Sequence, residues 1–426
     1  MALTMTSATT VEAAPPLCQG QVATITADGG EVVGTEGDDV ISTTGLVDID
    51  ALGGNDTICL ERGEVAGGEG DDSVVGEPPA GVGCCSRLVV DLGPGDDTLM
   101  SVDLLTVVDS PLLGGDSAGR DHITTGAGSD EVFSGVAGEP NLDQIDLGSG
   151  ADQLTVTLSA GSDVLAQAEV GETDHTQDDL TLIGPASDAA AWQVNLGGPV
   201  TRAGIIVADF AGFEDHELDF GTNVRVGVQG TSAKDVLLLR GGGTYAAELG
   251  DGDDVLHVFA AQARGSVDGG PGTDNLTVQV AQRAHVDLRG GRLIADGNDF
   301  AVAGLETGTV VADEIRFIGH DGPDDFELSG CMVRADGRSG KDRIRLAKER
   351  PQADCKTFDI VASGGRGNDT IQGSGRRDRL VGGKGNDVLR GGKGPDVLIG
   401  GPGRDKARGG PGKDKCVAES KRSCER

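Results

Sequence analysis

The segment from Gly364 to Val417 repeats every nine residues, and a fixed short period limits the fold more than any other feature of this chain. Six units begin at Gly364, Gly373, Gly382, Gly391, Gly400 and Gly409. The fullest reads Gly382-Gly383-Lys384-Gly385-Asn386-Asp387-Val388-Leu389-Arg390. The sixth position is always aspartate: Asp369, Asp378, Asp387, Asp396, Asp405 and Asp414. The eighth is apolar, with Ile371, Leu380, Leu389 and Leu398 followed by the smaller Ala407 and Cys416. Glycine at positions one, two and four permits positive φ, so each unit opens with a tight turn. The x-apolar-x triplet that follows is a short strand with one side chain facing inward. Two units make a coil of 18 residues, and turns on one edge then stack about 4.8 Å apart. Asp369 lies over Asp387, Asp378 over Asp396, Asp387 over Asp405, and Asp396 over Asp414. Carboxylates that close repel unless a cation sits between them. Carboxylate and carbonyl oxygens suit calcium better than zinc or copper.

This pattern resembles the glycine- and aspartate-rich calcium-binding repeat of the RTX (hemolysin-type) family. The resemblance implies an all-β parallel β-helix or β-roll solenoid ending in a regular calcium-binding roll. It implies up to four ions here, held by those aspartates and by the backbone at Gly365, Gly367, Gly383, Gly385, Gly392, Gly394, Gly401 and Gly403. The second unit departs from the pattern, with Ser374 at position two and Arg376 at position four. A disordered glycine-rich tail is the alternative, but disorder does not require an aspartate every ninth residue with an apolar residue two later.

Looser copies of the turn extend toward the N-terminus. Asp39, Asp56, Asp72, Asp97, Asp254 and Asp274 occupy the metal position in the best of them. Asp121, Asp130, Asp152, Asp235, Asp324 and Asp342 close others. Their spacing is near one full coil, which predicts a body with ligand turns on one edge only. The expected organisation is a leader at 1–14, an irregular acidic β-solenoid over 15–362, the regular roll at 363–417 and a basic cap at 418–426. Segments such as Leu154–Leu158, Ala203–Ala208, Asn223–Val228 and Val236–Leu239 read as strands. Val164–Gly171 and Asp188–Trp192 are the only helix candidates. Residues 160–229 nearly lack such turns and read as unadorned β-helix or a divergent insertion.

Composition fits a thin solenoid: 426 residues contain 72 Gly, one Trp, one Tyr and nine Phe. The net charge of −35 is uneven, because 363–426 carries 15 Lys and Arg against 8 Asp and Glu. The acidity keeps the chain soluble, supplies ligand charge, and argues against nucleic acid as a partner. Eight cysteines without CxxC spacing suggest cystines in an oxidising compartment. Proximity suggests Cys18–Cys59, Cys331–Cys355 and Cys416–Cys424, leaving Cys84 and Cys85 for each other or for other partners. Val11-Glu12-Ala13 resembles the end of a secretory signal, and no run of about 18 apolar residues suggests a membrane span.

Catalytic patterns are weak. Gly115-Asp116-Ser117-Ala118-Gly119 matches GxSxG but sits in a repeat turn, without the strand-to-helix setting a nucleophile elbow needs. His216-Glu217 has Phe220 where a zinc protease motif needs a second histidine. Asp215-His216-Glu217 is the one compact acid–base group. Three readings follow: a secreted calcium-binding solenoid that folds on meeting extracellular calcium, a polysaccharide-active β-helix enzyme, or a calcium-stiffened surface adhesin. Calcium is the expected ligand of all three.

Overall fold

The computed structural model describes residues 15–77, 87–101, 105–108, 119–168, 177–259, 262–347, 355 and 358–424. The leader, Cys84, Cys85 and most of the GxSxG stretch lie outside these residues. The described chain is all-β, built mainly from parallel strands, and forms two compact units. One comprises Met1–Gln153 with Leu165–Thr176, the other Leu154–Val164 with Gln177–Arg426.

Each unit is a coil whose strands fall alternately into two parallel sheets. In the first unit, one sheet stacks Val40–Thr43, Thr57–Leu60, Ser73–Gly76, Thr98–Ser101, His122–Thr124 and Gln144–Asp146. Side chains alternate between the faces of a strand, so register places one apolar column inside. Ile41, Ile58, Val74, Leu99, Ile123 and Ile145 form that column and are all buried. The facing sheet contributes Val32, Ile49, Val65 and Val90 in register. β-Branched and leucine residues suit such a column because both sheets bury their inner faces completely.

In the second unit the inner column of one sheet runs Leu180, His216, Leu237, Leu256, Leu276, Gly308, Phe326, Ile344, Ile371, Leu389 and Ala407. Gly308 is small because the Leu276 carbonyl and, beside it, the Phe326 ring occupy the place of a side chain. Thr370–Gln372, Val388–Arg390, Val397–Ile399 and Lys406–Arg408 each have three residues and one inward side chain, as the nonapeptide predicts, whereas Asp378–Lys384 runs on for seven. The tail adds one more rung than expected. Ser420–Arg422 pairs with Lys406–Arg408, and Cys416–Cys424 ties it back.

Two coils carry three-stranded antiparallel excursions. These are Ala191–Asn195, Pro199–Arg202 and Ile205–Ala211, then Arg283–Asp287, Arg292–Ala295 and Asn298–Ala303. Residues 177–229 are therefore continuous solenoid with an insertion folded into one sheet. Asp188 anchors the first excursion by accepting hydrogen bonds from Trp192 Nε1 (3.0 Å) and from Arg202 Nε and Nη2 (2.6 and 3.0 Å). Those Arg202 bonds hold the Asp188 carboxyl down at about 2. Trp192 packs edge-on to Phe220 with ring centroids 5.5 Å apart, a wider core than a Val/Leu column gives. Neither helix candidate is helical: Val164–Gln167 and Ala191–Asn195 are strands, because each feeds its alternate side chains into a sheet column.

The disulfides Cys18–Cys59, Cys331–Cys355 and Cys416–Cys424 are present, with Cα–Cα distances of 5.5, 5.6 and 5.9 Å. Each joins segments that the coil already brings together, so closure requires no backbone distortion. Leu389 is fully buried between Ile371 and Ala407. Leu389→Ala should cost about 2–5 kcal/mol, read as a lowered midpoint in chemical denaturation at saturating calcium; an unchanged midpoint would contradict the column.

Candidate metal centres

The aspartates of the regular roll are linked into columns through the backbone. The Asp369 N–H donates to Asp387 Oδ1 (2.9 Å), and the Asp387 N–H donates to Asp405 Oδ1 (3.0 Å). On the opposite edge, Asp378 donates to Asp396 and Asp396 to Asp414, both at 2.9 Å. One oxygen of each acceptor is thus satisfied by the preceding coil. The other, Oδ2, is buried and has no hydrogen-bond partner in Asp369, Asp387, Asp396, Asp405 and Asp414. A buried carboxylate oxygen without a partner is costly unless a cation completes it.

The glycines make this arrangement possible. Gly383 and Gly385 have φ of +113° and +135°, and a methyl group on either would collide with the carbonyl of Gly365 or Gly367 one coil earlier. A methyl on Gly382 or Gly400 would likewise collide with Oδ2 of its own Asp387 or Asp405. Carbonyls of positions two and four therefore converge on the next turn, while the free carboxylate oxygen lies against position one. Among the described residues, no group of three or more His, Cys, Asp or Glu side chains is placed to hold a metal. A cation in these turns must take most of its ligands from backbone carbonyls, a donor set that fits calcium.

The same ladder runs through the body. In the first unit the N–H to Oδ1 links join Asp39, Asp56, Asp72, Asp97, Asp121 and Asp143, at separations of 17, 16, 25, 24 and 22 residues. Asp130 and Asp152 form a second column preceding the other sheet, linked from Thr106. The one-edge expectation therefore fails in this unit: Glu131–Ser134 and Gln153–Thr157 belong to the opposite sheet from His122–Thr124, and their turns go with them.

In the second unit, one run joins Asp235, Asp254 and Asp274 and ends on Glu306 Oε2. Another joins Asp324, Asp342, Asp369, Asp387 and Asp405 and ends on Glu419 Oε2. Oδ2 is also buried and unpartnered in Asp56, Asp72, Asp130, Asp254, Asp274 and Asp342. The glutamates were invisible in sequence, because neither follows a glycine-rich turn. The only clue is that each Glu directly precedes a strand in register with those after the aspartates.

Burial pushes these carboxyls up, and neighbouring carboxylates in the column add to the effect. Asp342 and Asp396 rise to about 7, and Asp72, Asp130, Asp274 and Asp369 to about 6. Asp56, Asp254 and Asp387 rise for the same reason. The unfolded value is near 3.8. The folded, metal-free state thus holds protons that the unfolded chain releases, so this stabilisation is complete below about pH 4 and lost as pH climbs through 6 to 7. In chelator the melting temperature should fall between pH 5 and pH 7.5, and saturating calcium should abolish that fall. A chelated protein whose melting point rises over this interval would contradict the electrostatic description.

The acid–base group does not converge. His216 belongs to the core column between Leu180 and Leu237, and burial lowers it to about 4. Asp215 and Glu217 face outward, where Glu217 Oε1 pairs with Arg240 Nε at 2.7 Å. No helix among the described residues is long and apolar enough to cross a membrane.

Residues 116–136, 363–398 and 391–420 match the family model of the RTX calcium-binding nonapeptide repeat, in four copies. No curated protein matches the chain. The glycine–aspartate turns within these matched residues are similar to RTX calcium-binding nonapeptide repeats.

Proposed function

We propose that this protein is a secreted solenoid that folds and stiffens on binding extracellular calcium, through the aspartates left with a free buried oxygen. The observation that carries this reading is the repetition of that oxygen along the columns, from Asp56 to Asp414. Calcium supplies the positive charge these columns need. Each turn offers one carboxylate, and the carbonyls of positions two and four line the turn of the next coil. Without calcium, the buried like charges and the ordering entropy of the glycines oppose the coil. Binding energy then acts as folding energy. Three disulfides support an extracellular setting.

A second reading, attachment to an anionic surface polymer, is favoured by Arg390, Arg408 and Arg422. They stand in register on the outer face of one sheet of the roll and are all exposed. Partition between cell-envelope and soluble fractions would separate a matrix component from a freely diffusing protein.

The test is a calcium titration followed by circular dichroism and thermal melting. At calcium about 100-fold above the dissociation constant, each site should add about 2.7 kcal/mol. Identical spectra and melting points with chelator and with calcium would refute the reading. Asp387→Asn gives a sharper version, since the amide oxygen still accepts the Asp369 N–H. The variant should be more stable than the parent in chelator, where a buried charge is removed. It should be less stable in calcium, where a ligand charge is lost. A shift of the same sign in both conditions would rule Asp387 out as a ligand.

A further inference from the structure

Among the described residues, four turns depart from the glycine rule in the same way. Position two is Thr35 before Asp39, Thr231 before Asp235, His320 before Asp324, and Ser374 before Asp378. In each, the position-two N–H donates to Oδ2 of that aspartate, at 2.7, 2.7, 2.9 and 2.7 Å. In each, the side chain reaches the same carboxylate. Thr35 Oγ1 donates to Oδ2 (2.9 Å), Thr231 Oγ1 to Oδ1 (3.1 Å) and Ser374 Oγ to Oδ1 (2.9 Å), and His320 Nδ1 stands 2.9 Å from Oδ1.

The glycine turns behave differently. There the position-two N–H runs to the following coil, from Gly383 to the Gly400 carbonyl (2.8 Å) and from Gly392 to that of Gly409 (3.0 Å), leaving Oδ2 bare. Gly365, Gly383 and Gly392 hold φ between +105° and +113°, which excludes a side chain, whereas Thr35, Thr231, His320 and Ser374 are not among the positive-φ residues. The two turns are distinct conformations, one closed on itself and one open.

Their placement is also systematic. Each of the four opens a run of linked aspartates: Asp39 to Asp143, Asp235 to Glu306, Asp324 to Glu419, and Asp378 to Asp414. An opening aspartate has no aspartate N–H from a preceding coil to satisfy it.

We propose that Thr35, Thr231, His320 and Ser374 are built-in substitutes for the cation. Each supplies, from its own amide and side chain, the positive end that calcium supplies elsewhere. Asp39, Asp235, Asp324 and Asp378 therefore take no ion, and each run starts on a turn complete without metal. The later turns of the run are the ones that load. This rests on the calcium reading above and fixes where its ions stop.

Two of these turns differ from the full glycine pattern at one residue only: Gly34-Thr35-Glu36-Gly37-Asp38-Asp39 and Gly319-His320-Asp321-Gly322-Pro323-Asp324. Thr35→Gly and His320→Gly in the full chain should each raise the calcium bound per molecule by one over the parent, counted by native mass spectrometry at saturating calcium. Thr35→Ser keeps the hydroxyl and should leave the count unchanged. A parent that binds calcium with glycine variants at the same count would overturn the substitution idea alone. A parent that binds none would overturn it together with the calcium reading. Calcium-soaked crystals of the parent give an answer independent of how the variants fold: a cation coordinated by Asp39 or Asp324 would overturn the proposal.

Discussion

The architecture depends on one shared carboxylate. In each aspartate-to-aspartate link, Oδ1 accepts the backbone N–H of the aspartate one coil earlier, so the coils are bolted to one another at their edges as well as through the sheets. That bond fixes the orientation of the side chain and leaves Oδ2 buried beside a glycine. The coil gains a hydrogen bond and incurs a buried charge in the same step. Under the calcium reading proposed above, that charge is what would couple folding to a cation.

Everything about the turn follows from keeping that space open. In the regular units such as 382–390, position one is glycine because Oδ2 occupies the place of its side chain, and positions two and four are glycine because carbonyls from the preceding coil do. The inner columns can then be narrow. In the roll a single Ile or Leu per strand suffices, because successive strands stack in register. Where a thicker core appears, at Trp192 and Phe220, an antiparallel excursion supplies the extra surface to cover it.

Interruptions of the coil leave their mark on the column. The two excursions lie in coils of 36 and 32 residues, and each of those coils closes on a glutamate, Glu214 or Glu306, where regular coils have aspartate. The longer side chain reaches back to the previous N–H when the turn no longer sits directly over it. The final 14-residue coil uses Glu419 in the same way. Runs of linked aspartate turns are thus bounded by the geometry of the coils as well as by their residues.

The nonapeptide determined the coil, the inward side chains of the roll and its aspartate columns. All of these are set by local spacing, because a period of nine residues allows one stacking; the pairing of the cysteines is not fixed by that period. Tertiary structure alone decided which edge Asp130 and Asp152 occupy, that Glu306 and Glu419 end columns, and that His216 is a core residue with its acidic neighbours turned outward. Those outcomes depend on register between strands separated by coils of unequal length, and one residue of slip exchanges the faces of a strand. The sequence also shows which turns lack a glycine at position two. Only the folded turn shows that the replacing side chain bonds the carboxylate a cation would otherwise complete.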